Sequence, residues 1–330
     1  MRRLLPAFAL LLSLSPAAFA QTVWEMPTEY PASAIPGEGV ATFAKLVNER
    51  SGGRLTITPS FDAAKGIKSA GMVAAVQEGK VAAGDAFAGA LGAVNPLFGL
   101  SSLPFLATSI EDARRLTDLA RPAYAKVFAG YGQRILYTTP WPASGIWSKE
   151  PVTSARDLAG LSIRTYDATS TTVMGNAGAK AMNLSFADAM PKVKDGSVTA
   201  VLSSGDGGAG RNLWQFLPHF SEVNYALPIS LATVNLAAYD ALPADLRRVV
   251  DDYAALARRG ALIDYAFHLI VANPDAKTIG QDLPALIGTI RTLRNVAGFG
   301  VTIPHKIAVI GLLDSIGERG RLVGAVNFVR

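Results

Sequence analysis

The stretch Gly160-Leu161-Ser162-Ile163-Arg164-Thr165-Tyr166-Asp167 decides the fold class. The alternation of Leu161 and Ile163 predicts a short strand that ends on Arg164 and leads into a turn rich in serine and threonine. In open α/β sheets, ligands bind outside the carboxyl ends of strands. An arginine at such an end presents a planar set of donors that matches a carboxylate in a bidentate geometry. From the strand end alone, a surface or interdomain ion pair is the commoner role for such an arginine, and the binding of a carboxylate by Arg164 is the functional alternative that the rest of the sequence favours.

The segments upstream of this strand alternate between strand and helix. Residues 23–26 and 55–57 have the composition of strands, and the helix predicted between them carries its apolar residues on one face. A strand, a helix and a second strand in succession are typical of α/β domains. We therefore predict an α/β fold.

Another strand is predicted downstream, at residues 198–202. The following stretch, residues 203–210, contains four glycines, and we interpret it as a loop. It lacks the Gly-Lys-Ser/Thr ending of a phosphate-binding loop and the GxGxxG spacing of a dinucleotide site. If the two strands are parallel neighbours, their carboxyl ends bring Arg164 and residues 203–206 to the same rim of the sheet.

Residues 141–147 read Trp-Pro-Ala-Ser-Gly-Ile-Trp and combine proline, glycine and two aromatic side chains. A composition of this kind is typical of connections between domains. We therefore predict that the chain crosses here from one lobe to another.

Composition excludes several classes of function. Of the 330 residues, 50% are apolar and 17% are charged, which suits a folded chain with a substantial core. The net charge is +5, and no run of lysine and arginine interleaved with aromatics is present, so nucleic-acid binding is not expected. The chain contains no cysteine, which excludes disulfides, thiolate metal sites and cysteine nucleophiles.

The first twenty residues predict export. Met1-Arg2-Arg3 is a charged start, residues 4–14 are apolar, and Ala18-Phe19-Ala20 has the small-residue spacing of a cleavage site. This is the pattern of a secretory signal peptide, and the apolar run is too short for a membrane span. We expect the mature protein to begin near Gln21 and to be periplasmic.

Residues 22–257 resemble the substrate-binding proteins of TRAP transporters, the periplasmic C4-dicarboxylate-binding type. The matching pieces are short and occur in the family's order: Ser51-Gly52-Gly53-Arg54-Leu55, residues 76–81, Leu103-Pro104-Phe105-Leu106, residues 157–164, Leu184-Ser185-Phe186, residues 195–198 and Leu242-Pro243. The resemblance implies a two-lobe periplasmic binding protein with a hinge and an interlobe cleft. Residues 21–140 would form the first lobe and residues 141–257 mainly the second, with crossover segments.

The resemblance also implies the ligand contacts. Arg164 would anchor the carboxylate of a small organic acid, and the cleft would be completed by Phe186, Glu29, Tyr30, Phe87, Trp147, Ser203, Asp206 and Asn235. Family members often carry a second basic residue upstream of the anchor, where this chain has Ser144. The far end of the ligand is therefore expected to be neutral or aromatic-facing. The expected partners are the membrane permease subunits of a TRAP transporter, and no cofactor or metal is expected.

The C-terminal segment, residues 258–330, departs from this family. Residues 260–287 resemble a fragment of dihydropyrimidinase. The His-x-His metal motif of that family is absent from the sequence, so His268 has no paired histidine with which to bind a metal. Residues 289–330 resemble the substrate domain of shikimate dehydrogenase, in which the lysine matching Lys306 is catalytic and the asparagine matching Asn327 touches the substrate.

We expect no enzymatic activity from this segment. A dinucleotide-binding fingerprint is absent from the sequence, and hydride transfer requires a nicotinamide site. Two readings of the whole chain remain open at this point. It is either a carboxylate receptor with a foreign C-terminus, or a truncated or fused remnant that no longer binds a ligand.

Overall fold

The computed structural model describes residues 21–258 and two short strands, Phe299–Gly300 and Phe328–Val329, which pair in antiparallel orientation. The predicted signal peptide lies outside the described residues, and so do His268, Lys306 and Asn327.

The described chain forms two lobes. The first begins with β1 (Thr22–Pro27), α1 (Ile35–Arg50), β2 (Leu55–Ser60), α2 (Ser69–Gln77), β3 (Ala83–Phe87), two 3-10 helices (Ala88–Leu91 and Pro96–Ser102), α3 (Ile110–Gly130) and β4 (Gln133–Pro140). The second contains β5 (Ser144–Ser148), a 3-10 turn (Ala155–Leu158), β6 (Ser162–Thr165), α4 (Ala168–Asn176), β7 (Lys180–Asn183), α5 (Phe186–Lys194), β8 (Ala200–Ser204), α6 (Gly205–Ala209), a 3-10 turn (Leu213–Gln215) and β9 (His219–Ser221). The chain then returns to the first lobe with β10 (Ile229–Asn235), α7 (Leu236–Asp240) and α8 (Ala244–Arg258). This alternation of strands and helices confirms the predicted α/β class.

The first lobe is built on two small sheets. Strands β1 and β2 pair in parallel, and β10 lies between β3 and β4, antiparallel to both. The apolar face predicted for α1, which includes Val40, Phe43 and Val47, packs against Leu55 and Ile57 of β2. A separate apolar cluster joins α2, α3 and the two 3-10 helices. These two clusters of buried apolar side chains therefore hold the first lobe together as one unit.

The second lobe is a five-stranded sheet in the order β7-β6-β8-β5-β9. The strands β6 and β8 are parallel neighbours, with Arg164 opposite Val201. This pairing confirms the expectation that the two strands end at the same rim. Arg164 and the residues that follow β8 therefore come together on the side of the lobe that faces the first lobe.

Two crossing segments join the lobes, one between β4 and β5 and one between β9 and β10. They bond to each other through the backbone: Trp141 N donates to the Pro228 carbonyl (2.9 Å), Ser144 N to the Ala226 carbonyl (2.8 Å) and Tyr225 N to the Ser144 carbonyl (2.9 Å). Within residues 21–258, these two paired connections are the only ones between the lobes. Such a narrow connection lets the lobes rotate about it as rigid bodies.

The prediction of a loop at residues 203–210 is wrong at its centre, where the structure has the short helix α6. Ser204 caps this helix, since its side chain accepts a hydrogen bond from Gly207 N at 3.0 Å. A Cβ added at Gly208 would overlap the ring of Trp147. The glycines therefore provide close packing rather than flexibility, and composition alone does not distinguish these two uses.

Candidate ligand-binding site

A cavity lies between the lobes and opens to solvent on one side. The space between its lining atoms, counted together with the part open to solvent, is about 300 Å³, and one cation lies among aromatic and hydroxyl side chains. Its lining residues are Tyr30, Phe87, Trp141, Ser144, Arg164, Tyr166, Phe186, Ser203, Ser204 and Pro228. A concave site with a few polar groups in an aromatic wall is the usual form of a small-ligand pocket.

Arg164 is the cation of this cavity and is only 4% exposed. Its Nε donates to the Leu184 carbonyl (2.8 Å) and one Nη to the Leu202 carbonyl (3.2 Å). A guanidinium has five N–H groups, so these two bonds leave donors for a ligand. Among the described residues, no carboxylate forms an ion pair with it. Burial lowers the pKa of Arg164, although nearby Tyr30 and Glu29 partly oppose this effect.

The ring of Phe186 supports this guanidinium. Arg164 Cζ lies 4.2 Å from the ring centroid, and Arg211 Cζ lies 5.0 Å from the same centroid. Arg211 is held in turn by the Glu29 carbonyl, to which it donates at 2.8 Å. Two cations on one aromatic ring fix the direction of the Arg164 side chain through cation–π contacts.

The remaining walls carry aromatic rings and hydroxyl groups. Tyr30 contacts Trp141 edge-on, with centroids 4.8 Å apart, and Phe87 contacts Tyr166 in the same way at 5.2 Å. Tyr166 OH donates to Ser144 Oγ at 3.3 Å. Burial raises the pKa of both Tyr30 and Tyr166 well above the ordinary value for tyrosine. Both phenols therefore stay protonated and offer neutral hydrogen bonds to a ligand.

Of the residues proposed from the sequence, five line this cavity: Arg164, Phe186, Tyr30, Phe87 and Ser203.

Four others lie near the cavity or apart from it. Trp147 lies behind the wall, where its Nε1 donates to the Ser204 carbonyl at 3.1 Å. Asp206 accepts from Ile35 N at 3.1 Å, and burial raises the pKa of Asp206 to about 6. Asn235 caps α7 and donates to the Val76 carbonyl.

Glu29, the fourth, also lies outside the lining. Its carboxylate accepts hydrogen bonds from the backbone N–H groups of Ser69 and Phe186. Both oxygens are occupied by protein donors, so the side chain makes bonds within the protein rather than to a ligand in this arrangement.

The lining also includes residues that were not among the candidate contacts. Trp141, Ser144 and Pro228 belong to the two crossing segments, and Tyr166 follows the anchor strand by one residue. The signal for Tyr166 was present in the quoted stretch, because it lies two positions after Arg164. Pro228 carries no signal of its own, because its place depends on the pairing of two segments far apart in the sequence.

Within residues 21–258, no helix is both long and apolar enough to cross a membrane. The same described residues contain no group of three or more acidic, histidine or cysteine side chains placed to hold a metal ion.

A comparison with models of protein families shows which family the chain belongs to. Residues 27–262 match the model of the bacterial extracellular solute-binding proteins of family 7. The chain belongs to this family. The match covers most of the two described lobes and confirms the resemblance of residues 22–257.

Solved structures resemble the two lobes of this family 7 protein. A Bordetella pertussis extracytoplasmic solute receptor that binds pyroglutamic acid is 29% identical, with a TM-score of 0.69 over 73% of this chain and 80% of that one. A marine metagenome TRAP solute-binding protein specific for pyroglutamate is 31% identical, with a TM-score of 0.69 over 74% and 80%. A binding protein from Pseudomonas aeruginosa with bound L-malate is 19% identical at a TM-score of 0.64 over 73% and 85%, which shows the shared fold.

The C-terminal segment of the family 7 protein matches a different family. Residues 261–329 match the substrate-binding domain of shikimate dehydrogenase, which confirms that resemblance. The match begins ahead of residue 289, so it includes the stretch that we compared with dihydropyrimidinase. The Geobacter metallireducens shikimate dehydrogenase (NADP(+)) is 54% identical over 50 residues, which are 15% of this chain and 17% of that enzyme. The chain thus spans only a small part of the dehydrogenases that it matches.

Proposed function

We propose that this family 7 protein is the periplasmic receptor of a TRAP-type transporter, and that it captures a small organic carboxylate in its interlobe cavity for import by membrane permease subunits. The observation that carries this proposal is Arg164, a cation that is 4% exposed and has no acidic partner among the described residues. The solute-binding domain supports a binding role rather than catalysis.

A buried charge without a counter-charge is costly, because the protein interior solvates it poorly. The two backbone carbonyls that bind Arg164 compensate only part of that cost. A carboxylate ligand supplies the missing negative charge and accepts two parallel hydrogen bonds from the guanidinium. Phe186 orients the guanidinium in advance, so less rotational freedom is lost when the ligand binds.

The other walls favour a ligand with a single carboxylate. Ser144 and Tyr166 bond to each other and present hydroxyl groups, while Trp141 and Tyr30 present rings. None of these four side chains is charged, so a second carboxylate would lack a counter-ion there. A flat ring that carries one carboxylate and one amide fits this lining, which is the chemistry of the pyroglutamate bound by the two related receptors. A dicarboxylate is the alternative.

The leader at residues 1–20 supports export to the periplasm, where a receptor of this type meets its ligand. The dehydrogenase-like segment has the motif around Lys306 and Asn327 without a nicotinamide fingerprint. We therefore assign the chain no dehydrogenase activity.

The test is a thermal melt of the chain from Gln21 onward against a panel of organic acids that includes L-pyroglutamate and L-malate. A ligand at 100 times its Kd adds about 2.7 kcal/mol to stability. We expect L-pyroglutamate or another monocarboxylate to raise the melting temperature more than L-malate does. A broad melt that no acid changes would favour a remnant without binding activity.

Arg164→Ala tests the anchor. Removing one partner of a buried charge pair costs about 2–5 kcal/mol of binding, so calorimetry is expected to show affinity reduced by roughly 30-fold to several thousand-fold. The matched control is Arg156→Ala, an exposed arginine of the same lobe, which should bind as the wild type does. Retained affinity in Arg164→Ala would place the carboxylate elsewhere.

A further inference from the structure

We propose that Glu29 is a positioning residue that clasps the two lobes together and thereby sets how long a bound ligand stays. This inference rests on the proposed function and deepens it. It assigns Glu29 to the closure of the cleft, not to contact with the ligand.

Glu29 joins two helices that belong to different lobes. Oε2 accepts from Ser69 N at 2.8 Å, and Oε1 accepts from Phe186 N at 3.3 Å. Ser69 is the first residue of α2 in the first lobe, and Phe186 is the first residue of α5 in the second. One carboxylate thus satisfies a free backbone donor at the start of each helix.

Both helix ends favour this carboxylate. The residue that precedes α2 is Lys68, whose side chain makes no capping hydrogen bond, so Glu29 fills the role of the missing cap. Helix N-termini carry partial positive charge, and two of them converge on one anion. With Glu29 only 4% exposed, water competes little for these hydrogen bonds.

The clasp is connected directly to the ligand cavity. Phe186 begins α5 and is also the ring on which Arg164 rests at 4.2 Å. Tyr30 lines the cavity and follows Glu29 in the chain. The Glu29 carbonyl, in addition, binds Arg211 of the second lobe at 2.8 Å. Opening the cleft therefore breaks the contacts of Glu29 with Phe186 and Arg211 of the second lobe, while Phe186 stays beside Arg164, which belongs to the same lobe.

An ion pair also connects the same two helix ends, and it lies outside the buried clasp. Lys68 Nζ forms an ion pair with Asp188 at 2.7 Å, and their side chains are 41% and 48% exposed. Exposed pairs contribute little, because water and salt screen them. The buried carboxylate is accordingly the stronger of the two connections.

Glu29→Gln tests the clasp while it keeps the shape of the side chain. The amide oxygen can accept one backbone N–H, but the amide nitrogen would then face the other donor. Loss of a hydrogen bond to a charged group corresponds to about 10-fold or more in an equilibrium constant. For L-pyroglutamate, or the acid that shifts the melt most, we expect about 10-fold faster dissociation with an unchanged association rate. Glu78→Gln, at the opposite end of α2, is the control and should behave as the wild type does.

Two conformational measurements separate the clasp from the proposed function. Hydrogen exchange without ligand should be faster at the amides of Ser69 and Phe186 in Glu29→Gln than in Glu78→Gln. Because the chain has no cysteine, Leu119→Cys and Lys180→Cys place one spin label on each lobe. With ligand, we expect the short interlobe distance to be less populated in Glu29→Gln.

Equal exchange at these two amides, or an unchanged dissociation rate with an unchanged distance distribution, would overturn the clasp. If no acid binds the wild type, the proposed function fails, while the exchange comparison still decides the clasp.

Discussion

The two lobes satisfy their buried charges in different ways. The second lobe supplies Arg164, whose protein partners are neutral carbonyl groups, and Arg211, which donates to the Glu29 carbonyl. The first lobe supplies buried acids: Glu29 is bound by two backbone N–H groups, and Asp85 accepts a hydrogen bond from Thr28. Among the described residues, the buried acids of the first lobe have protein donors and Arg211 pairs with Asp62 at 3.4 Å, whereas Arg164 has no acidic partner.

This difference shows where an anionic ligand should dock and what holds the lobes together afterwards. We expect the carboxylate of the ligand to dock on the second lobe, because Arg164 has no acidic partner among the described residues. On this proposal, the first lobe closes over the ligand with rings and neutral hydroxyl groups. Its own carboxylate bonds to the second lobe through a backbone donor, so closure needs no further charge from the ligand.

Neutralising Asp85 should have the largest effect on stability. Burial raises the pKa of Asp85 to about 7, against the opposing hydrogen bond from Thr28. An acid with a raised folded pKa stabilises the fold below pH 4, and this contribution is lost as pH rises through about 7. The size of the loss is on the order of 4 kcal/mol by this linkage.

We therefore expect Asp85→Asn, which keeps the acceptor for Thr28, to lose less stability than the wild type between pH 5 and pH 8. Urea denaturation at both pH values measures this difference. Parallel losses in the two proteins would mean that Asp85 titrates as an ordinary acid, and the interior of the first lobe would then carry its charge near neutral pH.

Gly208→Ala tests the rigidity of the second lobe beside the anchor. The new methyl group would overlap the Trp147 ring, and overpacking of this kind costs about 1–3 kcal/mol. Gly175→Ala in α4 is the matched control, because no atom lies within 4 Å of its added methyl group. That variant should gain about 0.5–1 kcal/mol from its helical position. Thermal unfolding of both proteins checks the contrast, and equal melting temperatures would refute it.

Lys68→Ala should have the smallest effect. The ion pair with Asp188 is partly exposed, so its loss is expected to cost less than about 1 kcal/mol. Ligand dissociation should become only slightly faster, and the difference from the wild type should shrink as salt is added. Stopped-flow dissociation at low and high ionic strength measures this. An effect as large as that of Glu29→Gln would show that the exposed pair is the main connection between the lobes.

The local pattern around β6 predicted more of the site than its length suggests. The alternation of Leu161 and Ile163 indicated a strand, and its end at Arg164 indicated an anion site. The pairing of β6 with β8 then brought Ser203 to the same cavity. The predictions of the strand and of the shared rim are confirmed, because strand order and strand direction determine which side chains share a rim. The anion site at Arg164 stays a prediction.

The positions of Glu29 and of the glycines in α6 could not be predicted in this way. Glu29 is an acid after a strand, and its two donors lie 40 and 157 residues away in the chain. The stretch 205–208 looks like a flexible loop until Trp147 is seen to occupy the space above Gly208. Both depend on packing between segments that no local pattern connects.

The sequence by itself determined the α/β class, the cationic strand end and the family, because these follow from short-range periodicity and from ordered motifs. Only the tertiary structure decided which side chains face the cavity and which face each other. Those assignments depend on how the two lobes meet: Ser144 and Pro228 reach the site through the paired crossing segments. Glu29 lies outside the lining because backbone N–H groups at two helix ends donate to its carboxylate, whereas a carboxylate ligand, itself only an acceptor, cannot.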